Sequence, residues 1–209
     1  MDKQFARGKQ ARRNVVGVAI GLHGAAEESL LAGVQRGDVE SFNRLFLSHY
    51  PVVYGLLYRL VGDEADDLAQ ETFWRLYRRP PRAADSTVRA WLCRVALNLG
   101  HNALRGAGRR ETYEVRYQAA LPAGTESTLP EAAAQAADER RQVRAALARL
   151  TRREASLLVL RYGGASYREI AETLGVAPTS VGTMLRRAEA AFARAYRAIV
   201  GDGERSVPE

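Results

Sequence analysis

The amino-acid sequence predicts an all-α protein, with two small helical domains joined by a flexible linker and a helix-turn-helix in the second domain. Apolar residues recur at spacings of three and four along residues 27–110 and again along residues 139–200, which is the period of an amphipathic helix. Between these segments, residues 111–138 lose the period and mix Gly, Ser, Thr and Pro with alanines and scattered acids, as linkers do. Residues 166–187 combine helix-capping residues, a glycine stop and a second apolar face, a pattern typical of a helix-turn-helix.

The composition favours a folded protein with an anionic partner. The chain has 209 residues, of which 46% are hydrophobic, enough for one core or two small ones. Its formal net charge is +7, and arginine carries nearly all of the excess, which suits phosphate and guanine contacts and favours nucleic acid or a membrane surface. The one cysteine, Cys93, excludes an internal disulfide, and we expect it to be a packing residue of a protein in the reducing cytoplasm.

Residues 1–26 predict a basic, disordered N-terminal tail. Lysines and arginines precede a short apolar run, Val15–Leu22, so a secretory or twin-arginine signal is the alternative. Gly17 and Gly21 interrupt that run and no clean cleavage site follows it. A membrane-spanning helix needs about 18 apolar residues in succession, so we expect no membrane insertion.

The first domain, residues 27–110, opens with three predicted helices. The first ends near Gly37, Asp38 caps the second, and the third stops at Gly62. Asp63 is predicted to cap the next and most regular helix. The inner face of that helix is Ala65, Leu68, Ala69, Thr72, Phe73, Leu76 and Tyr77. Its outer face is Asp66, Asp67, Gln70, Glu71 and Trp74. Acids near a helix start are explained by the helix dipole alone, but a Trp among charges is typical of a protein interface.

The last helix of this domain follows Pro80-Pro81 and is predicted to begin after Asp85 or Ser86 and to end near Arg105. Its apolar stripe is Val88, Trp91, Leu92, Val95 and Leu99. The opposite face is Arg89, Arg94, Asn98, His101, Asn102 and Arg105, followed by Arg109 and Arg110. Because this face is basic, rich in amides and nearly free of acids, it favours nucleic-acid binding over a merely solvated surface.

The second domain, residues 139–200, carries two capping boxes. Thr151 with Glu154 begins one helix, and Ser166 with Glu169 begins another after a Gly-Gly turn. Gly175 ends that helix, and Pro178 starts the last one. The inner face of the last helix is Val181, Leu185 and Ala188, and a polar tail, residues 201–209, follows it. An ordinary helical hairpin is the alternative to a helix-turn-helix here.

The sequence contains no catalytic or metal-binding constellation. His23, His49 and His101 are dispersed, and there is no H-E-x-x-H, phosphate-binding loop or nucleophile elbow. We therefore expect neither an enzyme nor a bound cofactor or metal.

Two stretches in the first domain and one in the second resemble the sequences of one known protein family. Asp63–Phe73 (DEADDLAQETF) and Trp91–Leu99 (WLCRVALNL) resemble region two of the bacterial extracytoplasmic-function (ECF) sigma factors. Residues 150–188 resemble region four of the same family. The resemblance implies a non-enzymatic subunit that binds core RNA polymerase and promoter DNA, with an anti-sigma factor as a further partner in many relatives.

The resemblance also implies a role for particular residues. The implied polymerase contacts are Asp66, Asp67, Gln70, Glu71 and Trp74. The implied contacts to the minus-ten element are Asn98, His101, Asn102 and Arg105, with the loop Pro80–Ser86 holding a flipped base. The implied contacts to the minus-thirty-five element are Arg168, Thr179, Ser180, Thr183, Arg186 and Arg187.

Four positions depart from the usual family pattern. Many relatives have Arg where this chain has Leu97 and Asp where it has Asn102, and they carry basic residues where Gly182 and Met184 stand. The loss of two cations is expected to weaken phosphate attraction and its salt dependence. A free-standing helix-turn-helix regulator, which binds operator DNA without polymerase, and an adaptor for acidic partners are the alternative functions.

Overall fold

The computed structural model describes residues 24–82, 86–118 and 131–204, and side chains within residues 26–82, 86–105 and 135–201. All regular secondary structure in these ranges is helical. The helices are α1 (Gly24–Gln35), α2 (Val39–Val61), α3 (Ala65–Arg78), α4 (Val88–Gln118), α5 (Glu131–Ala148), α6 (Arg152–Tyr162), α7 (Tyr167–Leu174) and α8 (Pro178–Glu204). None of these described helices is both long and apolar enough to span a membrane. The predicted all-α class is confirmed.

The first half of the molecule is built around α2, which contacts α1, α3 and α4. Large side chains from all four helices lie fully buried where they meet, since each helix turns its apolar stripe to the same core. These residues are Leu31, Leu45, Leu57, Leu60, Phe73, Leu76 and Leu92. The core therefore holds α3 and α4 in fixed positions with their polar faces outward.

Helix α2 is one continuous helix, where the sequence pattern predicts two. Pro51 lies inside it, and a proline disfavours a helix interior because it removes a backbone hydrogen bond. The helix persists because its buried positions run on past the proline, from Leu45 to Val53 and Leu60. Asp38 caps it by accepting from the amides of Glu40 and Ser41, as predicted.

The predicted cap of α3 is wrong. Asp63 lies in a 3₁₀ turn, Gly62–Glu64, and Glu64 occupies the cap position without a side-chain hydrogen bond. The turn arises because Gly62 ends α2 with φ +70°, and α3 follows with no room for a loop. On α3 itself, Leu68 is half-buried and Tyr77 is 40% exposed, so the buried stripe is narrower than the sequence predicts.

Helix α4 is longer than predicted and continues past Arg105 to Gln118. Its start is capped by Thr87, whose hydroxyl accepts from the amide of Ala90 at 3.2 Å, and not by Ser86. The predicted cap Asp85, most of the N-terminal tail and residues 119–130 of the predicted linker lie outside the described residues. Helix α5 begins at Glu131, also inside the predicted linker, so the domain boundaries remain a prediction.

The second half is organised around α8, which contacts α5, α6 and α7. Both predicted capping boxes form, at Thr151 and at Ser166, and Gly175 ends α7 in the left-handed conformation at φ +64°. The predicted inner face of α8, namely Val181, Leu185 and Ala188, is buried. Helices α7 and α8 thus form the predicted helix-turn-helix.

The two halves are in contact with each other. Helix α2 contacts α5 and α6, and α4 contacts α7. Buried apolar residues of both halves, from Leu56 in α2 to Val159 in α6, belong to one continuous cluster.

Candidate functional site

The polar face of α3 forms an acidic ridge, which we define as Asp66, Asp67, Gln70, Glu71 and Trp74. Asp67 is exposed and Trp74 is 37% exposed, whereas the other three are half-buried. The Asp66 carboxylate accepts from the Tyr50 hydroxyl at 2.6 Å and from the Gln70 amide at 3.3 Å. The ridge is therefore accessible to another molecule and partly preorganised by hydrogen bonds.

An aromatic surface that sequence reasoning missed adjoins the ridge. Tyr77, expected on the inner face, instead stacks with Trp74, with the ring centroids 5.9 Å apart. The Arg78 guanidinium lies 5.8 Å from the Trp74 ring centroid, and Phe42 meets Tyr77 edge to face at 5.4 Å. The available signal was an aromatic residue at every fourth position of α2, at residues 42, 46, 50, 54 and 58.

Most of the predicted DNA-contacting residues on the basic face of α4 are exposed, but one is buried. Arg94, Asn98, Asn102 and Arg105 are exposed, and the Arg105 guanidinium donates to the Asn102 side-chain oxygen at 2.8 Å. His101 is only 5% exposed, so its predicted place on an open DNA-binding face is wrong for this arrangement.

The burial of His101 comes from the second half of the chain. Its Nε2 lies 2.8 Å from the hydroxyl of Ser156 on α6. Desolvation, and then the nearby Arg152 guanidinium, lowers the pKa of His101 from 6.5 to about 4. His101 is consequently neutral at physiological pH and offers no positive charge to a phosphate.

Asn102 also has a partner on α6, because the Arg152 guanidinium donates to its side-chain oxygen at 2.6 Å. Of the loop Pro80–Ser86, Pro81 is buried and its carbonyl accepts from the Gln35 amide at 2.7 Å, while residues 83–85 lie outside the described part. The structure thus places the predicted minus-ten residues on one helix but not all on one open surface.

The predicted residues of the helix-turn-helix share an accessible side. All six are exposed, one on α7 and five along the first turns of α8. They are Arg168, Thr179, Ser180, Thr183, Arg186 and Arg187. The arrangement gives one helix with hydroxyls at its start and two arginines farther on, a chemistry suited to base edges and phosphates.

Sequence reasoning missed two residues beside this surface. Tyr167 is 46% exposed, and its ring lies 3.5 Å from where a Cβ of Gly182 would stand. The Arg161 guanidinium lies 5.6 Å from the Tyr167 ring centroid. The tyrosine therefore lies over the part of α8 where Gly182 leaves no side chain. Its position just after the capping Ser166 was the signal available in the sequence.

The fold and these surfaces identify the chain as a helix-turn-helix protein. The family model described as Sigma-70 region 2 matches residues 45–110, and the one described as Sigma-70, region 4 matches residues 140–192, together more than half of the chain. The chain belongs to the sigma-70 family, and within it to the ECF sigma factors.

Curated relatives agree with this assignment. The chain is 40% identical over 87 residues to the RNA polymerase sigma-H factor of Pseudomonas aeruginosa, covering 40% of this chain and 45% of that protein. It is 34% identical over 152 residues to the ECF RNA polymerase sigma factor SigE of Mycolicibacterium smegmatis, covering 70% of this chain and 58% of that protein. The matches thus span about half the length of these relatives.

A solved structure supports the fold. CnrH, in complex with the cytosolic domain of CnrY, aligns with a TM-score of 0.54 at 22% identity, covering 82% of this chain and 97% of that one. At this identity the likeness is one of fold.

Proposed function

We propose that this protein is a dissociable promoter-specificity subunit, which binds core RNA polymerase in the cytoplasm and directs promoter recognition, DNA melting and transcription initiation. The observation that carries the proposal is the acidic ridge, where Asp67 and Trp74 remain accessible on the domain whose next helix is basic. Membership of the sigma-70 family supports the same role. An anti-sigma factor is the further partner that the family implies.

The chemistry of the ridge suits a basic protein surface. Its carboxylates and the Gln70 amide offer hydrogen-bond acceptors, and Trp74 with Tyr77 supplies a rigid apolar anchor. Such a combination favours a protein partner, since nucleic acid would be repelled by Asp66 and Asp67.

The basic face of α4 suits melted DNA at the minus-ten element. Asn98 and Asn102 present amides for base edges, while Arg94 and Arg105 supply phosphate contacts. Extruding a base costs a few kcal/mol, which contacts in a pocket must offset, and we assign the loop Pro80–Ser86 to that pocket.

The exposed side of α8 suits the major groove of the minus-thirty-five element. Thr179, Ser180 and Thr183 stand at its start, and we assign Arg186 to a base contact. We assign Arg168 and Arg187 to phosphates, together with the Tyr167 hydroxyl, which lies beside Gly182.

A pull-down with core RNA polymerase tests the ridge. Asp67→Arg reverses a charge at its exposed centre, and Gln70→Ala removes an amide, so both are expected to reduce retention by at least about tenfold. Glu28→Arg, at an exposed acid on α1, is the matched control and should bind normally.

Equal retention of the ridge variants and the control would contradict the assigned surface. Tight, sequence-specific binding of duplex DNA with no retention of polymerase would instead favour a free-standing regulator.

A further inference from the structure

A cavity of about 190 Å³ lies where α4 meets α6, and the end of α7 closes one side of it. One water molecule occupies about 30 Å³, so the cavity has room for more than a single water. It is smaller than the pockets of about 300–1,000 Å³ that hold drug-sized ligands. The cavity therefore suits a small ligand or one end of a larger one.

Three guanidinium groups line this cavity, and no carboxylate of the described residues does. The guanidinium groups belong to Arg94 on α4 and to Arg152 and Arg153 at the start of α6. Within the described part of the chain, the side chains of Arg94 and Arg153 have no ion-pair or hydrogen-bonding partner. The acid that follows them, Glu154, is held at Thr151 by the capping box and does not line the cavity. The cavity thus concentrates positive charge that an anion would neutralise.

The imidazole of His101 responds to this positive charge. His101 also lines the cavity and is only 5% exposed. Its pKa falls to about 4, and the Arg152 guanidinium is the second cause of that fall, after desolvation. The same field that disfavours a proton on His101 favours a negative charge in the cavity.

Hydrogen bonds preorganise the polar wall. The Ser156 hydroxyl lies 2.8 Å from the Nε2 of His101, and both residues are buried. The Arg152 guanidinium donates to the side-chain oxygen of Asn102 at 2.6 Å. This bond fixes Arg152 beside α4 and leaves most of its N–H donors for a ligand. Little further ordering is therefore needed when a ligand binds.

The side chains indicate the chemical class of the ligand. Guanidinium groups bind phosphate through paired hydrogen bonds, and the Asn98 amide in the same wall can donate to a further oxygen. One phosphate group carries a charge of about −1.5 to −2 at pH 7, which leaves part of the charge of three arginines uncompensated. Two linked phosphates match it better. Leu97 and Leu174 add an apolar wall, which suits the base of a nucleotide. A continuous nucleic-acid strand fits less well, since it requires a groove rather than a pocket.

We propose that Arg94, Asn98, Arg152 and Arg153 form a binding site for a diphosphate group, either free pyrophosphate or the diphosphate of a nucleotide. The guanidinium groups hold the phosphate oxygens, and the neutral imidazole of His101 lies in the wall behind them. Arg94 and Asn98 are also assigned to minus-ten DNA. The bound ligand and that DNA therefore exclude each other, a consequence that rests on the proposed function.

Calorimetric titration of the full chain with pyrophosphate, at about 0.15 M ionic strength, tests the site. We expect saturable binding, and Arg153→Gln should weaken it at least about tenfold because it removes hydrogen bonds between charged groups. Arg153 is exposed and belongs to none of the proposed polymerase or DNA contacts. Arg194→Gln, at an exposed arginine of α8 outside the cavity, removes the same charge and should bind pyrophosphate like the wild type.

A parallel titration with GDP distinguishes the two sources of the diphosphate. Tighter binding of GDP than of pyrophosphate assigns the site to a nucleotide, and the reverse assigns it to free pyrophosphate. The absence of saturable binding by both probes, or equal affinities of Arg153→Gln and Arg194→Gln, would overturn the site. It would also be overturned if Arg153→Gln weakened a single-stranded oligonucleotide as much as pyrophosphate, since the cavity would then belong to the DNA-binding surface. All of these titrations use the free chain, so their results do not depend on whether it binds polymerase.

Discussion

His101 shows how one neighbour changes what a side chain can do. On an isolated α4 it would be a solvated imidazole that titrates near its ordinary pKa of 6.5, but α6 buries it beside Ser156 and Arg152. The helical period placed it beside the basic residues of α4. The period carries no information about which other helix covers that position, so its burial could not be predicted from the sequence.

The lowered pKa of His101 predicts a loss of stability in mild acid. The unfolded chain binds the proton near pH 6.5 and the folded chain only near pH 4, so stability falls as the pH decreases between these values. From about pH 7.5 to about pH 5, the unfolding free energy should fall by about 1–2 kcal/mol more in the wild type than in His101→Gln. Urea unfolding at both pH values measures this. Equal losses in the two proteins would show that His101 is not the group responsible.

Arg186 is the residue of α8 assigned to base readout. If it contacts guanine in a bidentate manner, Arg186→Ala should relax preference at one position of the upstream element, at a cost of about 1–3 kcal/mol. Binding to a set of single-base promoter variants measures this, with Arg187→Ala as the comparison that weakens all sequences alike. A uniform loss for Arg186→Ala would make it a phosphate contact instead.

At the scale of the helices, local signals predicted the beginnings and ends that depend on few residues. The caps at Asp38, Thr151 and Ser166 and the stop at Gly175 are confirmed, because each requires only its own turn. The continuity of α2 through Pro51 and the 3₁₀ turn before α3 depend on packing against other helices. The spacing of apolar residues could not predict those features, nor the extension of α4 into the predicted linker.

Two glycines in the helix-turn-helix should respond in opposite ways to alanine. Gly182 lies inside α8, and a Cβ there would make an ordinary 3.5 Å contact with Tyr167. Gly182→Ala is therefore expected to raise the unfolding free energy by about 0.5–1 kcal/mol through helix propensity. Gly175→Ala should instead lower it by about 1 kcal/mol, because residue 175 has φ +64°. Thermal unfolding measures both, and destabilisation by Gly182→Ala would contradict the described geometry.

At the scale of the whole molecule, two reading surfaces and one polymerase-binding ridge share a chain that is folded onto itself. The ridge lies away from the main contacts between the halves, since the principal contacts of α3 within the described residues are with α2 and α4. Asp67 and Trp74 are therefore accessible while the two halves are in contact.

Much of the candidate site was predictable from the sequence, but the contact of its basic helix α4 with α6 was not. The exposure of Asp67, Trp74 and Arg186 follows from amphipathic helices, whose polar faces are fixed by the apolar residues between them. The contact of Arg152 with Asn102 joins residues 50 positions apart. No periodicity relates such distant residues, so it required the tertiary structure.

Transcription in vitro tests the central claim most directly. Purified core RNA polymerase should be combined with the full-length protein and a library of random promoter sequences, and the transcripts should be sequenced. Our account predicts transcripts that depend on the added protein and share two upstream elements, and it predicts that Asp67→Arg abolishes them. Transcription no higher than that of core polymerase alone, with a protein that is folded and intact, would contradict it.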